Sequence, residues 1–226
     1  MDIYDQEHMT KLPFKFNIEE LKKGLKDIEK YASFDNPTGQ IGLTHTANEY
    51  EGKDKRYEAC GSFASKSFPT ENDFTEFNED LKDTYFYEVY KTLSTMYNLG
   101  RVRLLQIQPK RCLSWHIDQQ ERIHVPIISN SGNMLAILNK CYFLPADGSS
   151  YIVNLILTHS AFNGGFEPRY NFLCSITGYK KNAVTNLEKE FDDEELLASA
   201  RKLYKWSYTN CNFPLKDQIL EKKKLE

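Results

Sequence analysis

Apolar residues recur every three or four positions in the first part of the chain: Ile18, Leu21, Leu25 and Ile28 form one stripe among charged neighbours. That is the mark of a helix with a single buried face. Asn17 followed by Glu20 reads as a capping box, so a helix is predicted over residues 17 to 31, with its stop near Asn36-Pro37. A second helix is predicted from Asp83 to Asn98, with Tyr90, Leu93 and Tyr97 on one stripe and Gly100 just beyond its end.

From Arg101 to Gly178 the period changes. Short runs rich in Val, Ile, Leu, Tyr and Phe are separated by Pro109, Ser129-Asn130-Ser131-Gly132, Ala146-Asp147-Gly148 and Asn163-Gly164-Gly165, the pattern of strands joined by turns. Residues 101 to 108, 122 to 129, 134 to 144, 151 to 159 and 169 to 177 make five strands. Gln40 to His45 and Tyr57 to Ser62 add two candidates. Strands this short and this many predict a sandwich or barrel. After Asn186 helical spacing returns through Leu187, Phe191, Leu196, Leu197, Ala200, Leu203 and Tyr204, a tail expected to pack outside the sheet.

At 226 residues one core suffices. The expected organisation is a single domain over 1–226, with an N-terminal flank of helix and strand (1–100), a strand-rich core (101–178) and a C-terminal helical flank (179–226). The closing Leu225-Glu226 reads as the remnant of an affinity-tag junction. A net charge of -3 and a pI near 6.0 give no basic footprint, so no nucleic-acid partner is expected; the substrate is expected to be a small molecule or a protein. Five scattered cysteines without a Cys-x-x-Cys pair read as reduced thiols rather than as a disulfide framework or zinc knuckle. Asp2, Asp5 and Glu7 replace the basic start of a leader, and no run approaches a membrane span. The expectation is therefore a cytoplasmic protein with no membrane partner.

The candidate chemistry lies in His116-Ile117-Asp118, His159 and Arg169. Residues two apart on an extended strand face the same way, so His116 and Asp118 can reach one metal while Ile117 points elsewhere. His159 is expected to end the strand Tyr151, Val153, Leu155, Leu157, His159 on its inward face. Arg169 lies ten positions further, across a turn centred on Gly164, which brings it back towards the same place. Two histidines and one carboxylate are the ligands of the facial triad of non-haem iron(II) oxygenases, which leaves the other face of the metal open. A guanidinium beside that face can hold the distal carboxylate of 2-oxoglutarate bidentately. Taken singly, a strand histidine is more often a hydrogen-bonded core or surface residue; it is the combination that points to a metal. Arg122 and His124 share one strand parity and are candidates for further donors to co-substrate or substrate, with a solvated strand face as the plain alternative. Arg103 shares the parity of Leu105 and Ile107, and because an inward charge usually has a partner it is a further candidate to bind the co-substrate or the substrate carboxylate. His8 and His45 read as structural or solvated, and the acidic run from Glu188 to Glu195 as a solvated helix face.

On these residues the stretches RVRLLQIQPKRCLSWHIDQQERIHVPI and YIVNLILTHSAFNGGFEPRYNFLCSI resemble the aspartyl/asparaginyl β-hydroxylase-like family, which includes free-proline hydroxylases. The match covers about a third of the chain and rests on His116-x-Asp118, Arg122-x-His124 and His159-Ser160-Ala161-Phe162-Asn163 leading to Arg169. The resemblance implies a double-stranded β-helix (jelly roll), iron(II), 2-oxoglutarate and molecular oxygen, with hydroxylation of a C–H bond and release of succinate and carbon dioxide. It implies that His116, Asp118 and His159 bind metal, that Arg169 binds 2-oxoglutarate and that Arg122 and His124 line the same pocket. Some members of the aspartyl-hydroxylase branch lack the carboxylate ligand, whereas Asp118 sides with the proline hydroxylases and argues against a halogenase. Leu105 stands where some relatives place a serine that also touches the co-substrate. A free amino acid is favoured over a residue in a protein or peptide as substrate. The alternative is a non-catalytic jelly-roll module that binds a metal or ligand.

Overall fold

A computed structural model describes residues 8–47, 54–62 and 69–180 of the chain. The expected C-terminal helix and its acidic run lie outside the described residues. β1 (Met9–Lys15) leads into α1 (Ile18–Ile28); β2 (Gln40–Gly42), β3 (Thr44–His45), α2 (Lys55–Glu58), β4 (Glu76–Phe77) and α3 (Tyr85–Ser94) follow. Beyond them come β5 (Tyr97–Ile107), β6 (Arg111–Cys112), β7 (Arg122–Ile128), β8 (Asn133–Ile137), β9 (Lys140–Tyr142), β10 (Ser149–Val153), β11 (His159–Asn163) and β12 (Arg169–Tyr179).

Six strands form an antiparallel sheet in the order β1-β10-β7-β12-β5-β2, and four form a second sheet, β6-β11-β8-β9. Their facing sides enclose one apolar cluster that includes Leu105, Ile107, Leu135, Ile137, Tyr151, Val153 and Leu173. The architecture is a double-stranded β-helix, as the family resemblance implies. Successive side chains along a strand face opposite ways, and the large sheet uses both faces. Val102, Leu104, Ile123, Val125, Phe172 and Cys174 turn outward into a second cluster covered by the two longer helices.

The helix α1 begins where the capping residue places it, with the Asn17 side-chain oxygen accepting from the backbone N–H groups of Glu19 (3.0 Å) and Glu20 (3.3 Å). Its buried stripe is Leu21, Leu25 and Ile28, each side chain worth about 1.5–3 kcal/mol of burial. The second helix differs from expectation. It buries Phe86, Val89 and Leu93 but stops at Ser94, where the Thr95 hydroxyl donates to the Thr92 carbonyl oxygen (2.7 Å) and competes with the helical ladder. Tyr97 and Asn98 belong to β5. Gly100 is therefore mid-strand, not a helix stop: a Cβ there would lie 2.1 Å from the Glu71 carbonyl oxygen, which accepts from Arg101 N–H at 3.1 Å. Only glycine admits the crossing segment this closely.

Three further expectations change. The run 134 to 144 splits into β8 and β9 at Leu138, held at φ 51° with its N–H on the Thr158 carbonyl oxygen (2.9 Å). Tyr57 to Ser62 is not a strand; Asp54 caps the short α2, its side chain accepting from Arg56 N–H at 2.9 Å. The run 151 to 159 breaks after Val153, and His159 opens β11 in the other sheet rather than ending β10. β1, unforeseen, occupies a sheet edge, where Pro13 costs no ladder bond. No helix among the described residues is long and apolar enough to cross a membrane.

Candidate metal centre

The backbone builds the triad before any side chain is considered. His116 N–H donates to the His159 carbonyl oxygen (3.0 Å) and His159 N–H to that of His116 (2.9 Å), a reciprocal antiparallel pair outside the named strands. Directly opposed residues in such a pair send their side chains to the same face, and the two imidazole centroids lie 4.2 Å apart. Asp118, two residues on, shares that face and is fixed by its N–H on the Leu155 carbonyl oxygen (2.8 Å). The ligand atoms of His116, Asp118 and His159 consequently fall within 4.8 Å of one another. Ile117 points away and is 47% exposed, next to Trp115 at 58%.

Each histidine is oriented for the task. His116 Nδ1 sits 2.6 Å from the Ser114 carbonyl oxygen and His159 Nδ1 2.9 Å from that of Leu157. A carbonyl only accepts, so both Nδ1 atoms carry the proton and both Nε2 lone pairs are free for a cation. Burial, the largest influence, lowers the His159 pKa below its ordinary value and favours the neutral form that binds metal. The donor set, two neutral imidazoles and a carboxylate, suits a borderline divalent ion such as iron(II). His116 and Asp118 open onto a cavity of about 380 Å3 shared with Arg101, Arg103 and Arg122.

Asp118 is gripped from behind. Arg122 Nε lies 2.6 Å from Asp118 Oδ2, and its Nη2 lies 3.1 Å from Glu71 Oε1. Glu71 also takes Arg101 Nη1 at 2.7 Å and accepts from the Ser175 hydroxyl. Burial alone would raise the Glu71 pKa, but Arg122, Arg101 and Arg103 outweigh it and hold the carboxyl at about 2. Sequence reasoning found Arg122 but missed Glu71, Arg101 and Ser175. Their separations in sequence, 30 residues for Glu71 to Arg101 and 104 for Ser175 to Glu71, leave no local signal.

The other predicted residues line the inner face of the large sheet. Arg122 pairs across strands with Val153 and Ser175, His124 with Tyr151 and Leu173, Arg103 with Leu173, and Arg169 with Ile107. Arg169 is buried, which brings its pKa down to about 10, so it stays charged at neutral pH. With the Asn171 amide oxygen turned towards it, that oxygen accepts from Nε at 3.1 Å and Nη2 at 2.7 Å. His124 is buried with neither ring nitrogen hydrogen-bonded. Burial first, then Arg169 and Arg122, push its pKa well below the ordinary value. Arg103 is likewise buried with Nε and Nη1 unpartnered. Buried donors and acceptors of this kind are normally satisfied, so His124 beside the charged Arg169 fits a carboxylate-bearing ligand. His8 and His45 are structural, on the Tyr142 hydroxyl (2.6 Å) and the Thr46 carbonyl oxygen (2.7 Å).

No protein-family model and no curated protein matches the chain in sequence. Solved structures do resemble it. A viral collagen prolyl hydroxylase from Paramecium Bursaria Chlorella virus-1, in complex with 2OG, is 11% identical over 77% of this chain and 98% of its own, with a TM-score of 0.45. A 2OG-Fe(II) oxygenase family oxidoreductase from Burkholderia pseudomallei is 12% identical over 75% and 84%, with a TM-score of 0.44. A cupin domain from Bordetella pertussis tohama I is 17% identical over 36% and 84%, with a TM-score of 0.31. Values this low add nothing at the level of residues. The chemical reading of the site rests on this chain's own geometry.

Proposed function

We propose that this protein is an iron(II)- and 2-oxoglutarate-dependent oxygenase that hydroxylates a C–H bond of a free amino acid, and that it falls with the aspartyl/asparaginyl β-hydroxylase-like enzymes. The observation that carries the reading is the triad itself: two Nε2 atoms and one carboxylate converge while the Nδ1 protons of the histidines are tied to backbone carbonyls, and two of the ligands, His116 and Asp118, line a cavity. A purely structural site tends to close every position with protein ligands. Iron(II) bound there would, with 2-oxoglutarate and molecular oxygen, insert one oxygen atom into the C–H bond and leave succinate and carbon dioxide.

The chain's own residues position the reactants. His116, Asp118 and His159 would hold the metal by one face. Arg122 fixes the Asp118 carboxylate. Arg169, held in orientation by Asn171, would take the distal carboxylate of 2-oxoglutarate, with His124 beside it. Preference for a free amino acid over a protein residue follows from a modest cavity walled by guanidinium groups, which suits a small anionic substrate.

The test is 2-oxoglutarate turnover, read as succinate, with pools of free amino acids and of peptides. His116→Ala and His159→Ala should abolish turnover. Arg169→Ala should raise the 2-oxoglutarate requirement by the equivalent of about 2–4 kcal/mol with little change in iron affinity. Turnover with peptides alone would overturn the free amino acid as substrate, and iron binding without turnover under any condition would favour a non-catalytic binding module.

A further inference from the structure

Three guanidinium groups line the cavity beside the triad, and two of them are paired with carboxylates. Arg101 gives Nε to the Ala59 carbonyl oxygen (2.6 Å), Nη1 to Glu71 (2.7 Å) and Nη2 to the Gly61 carbonyl oxygen (2.5 Å). Arg122 is divided between Glu71 through Nη2 and Asp118 through Nε, with Nη1 unpartnered. Arg103 differs: it is 7% exposed, its Nε and Nη1 meet no acceptor, and no carboxylate among the described residues pairs with it. The three arginines face two carboxylates, Glu71 and Asp118, which leaves one positive charge in excess before any metal adds its own. Burial, then Arg101 and Arg122, act against the charged form of Arg103. A buried, unpaired cation is costly unless something completes it.

The geometry points to Arg103 as the anchor for the α-carboxylate of the amino-acid substrate, an inference that rests on the oxygenase reading. A guanidinium holds a carboxylate through charge-assisted bonds, and Arg103, unpaired with any carboxylate of the described residues, lines the cavity that contains His116 and Asp118. Arg169 is a separate subsite. It lies opposite Ile107, whereas Arg103 lies opposite Leu173, four residues away along β5 and β12, or roughly 13 Å.

The test uses the full chain loaded with zinc(II) in place of iron(II), together with 2-oxoglutarate. Ligand-observed NMR measures binding of the twenty free L-amino acids and of their carboxamides. At least one amino acid should bind while its amide does not. Arg103→Met should weaken that amino acid by about 10- to 100-fold, the size of a lost charge-assisted contact, and leave 2-oxoglutarate affinity within about 2-fold. Arg103→Lys should lose part of the affinity, since it keeps the charge but not the fork. Because Arg103→Met removes an unpaired buried cation, its melting temperature should be equal to or above that of the unaltered protein. Amides that bind as well as acids, an amino-acid affinity untouched by Arg103→Met, no binder in the panel, or a loss confined to 2-oxoglutarate would each overturn the assignment. Failure of the unaltered protein to take up zinc and 2-oxoglutarate would remove the oxygenase reading and this subsite with it, an outcome distinct from a defect seen only in the variants.

Discussion

Glu71 reaches the site from outside the catalytic strands and holds Arg101 and Arg122, the second of which pairs with Asp118, so a single carboxylate supports the metal ligand at one remove. Loss of one member of a buried ion pair costs about 3–5 kcal/mol because it strands the other charge. Glu71→Gln should therefore lower stability by that order at pH 7. It should also weaken metal affinity about 10- to 100-fold, as for other groups that orient a ligand. The pH dependence has a definite sign. The folded pKa of about 2 lies below the ordinary 4.5, so the stabilisation is full above about pH 4.5 and is lost as pH falls towards 2. Urea denaturation of both proteins across that range should show the gap closing at the acid end. A constant gap, or none at pH 7, would mean that Glu71 is not the buttress.

At the scale of elements, α1 and β5 serve different purposes, and substitutions should separate them. α1 packs on the outer face of the large sheet. Asn17→Ala should cost about 1 kcal/mol through the lost cap and leave metal affinity unchanged. Gly100→Ala places a methyl group against the Glu71 carbonyl oxygen and should lower stability and metal affinity together; thermal melts and metal titration of the two variants provide the comparison. These elements also mark what the chain disclosed before folding. The helix start at Asn17, the strands β7 and β12, and β5 from Arg101 onward were legible because capping and alternation are local. The break after Val153 was not, because Leu155 and Leu157 still feed the same interior as the chain crosses between sheets. Alternation reports which way side chains point and is blind to a change of sheet. The triad was legible because His116 and Asp118 are two apart; the Glu71 network was not, because its members meet only through the tertiary fold.

For the molecule as a whole, the large sheet lies between two apolar clusters, and the charged groups of the site occupy its inner face. Such a site is costly without its ligands, so metal and co-substrate should stabilise the fold by mass action. The most direct measurement is an anaerobic titration of iron(II) into metal-free protein with 2-oxoglutarate present, followed by the visible charge-transfer absorption and by the melting temperature. The account predicts saturation at one iron per chain, a band that requires 2-oxoglutarate, and a rise in melting temperature, all absent in His116→Ala and His159→Ala. Tight iron binding retained by either variant, or no saturable binding by the unaltered protein, would contradict it.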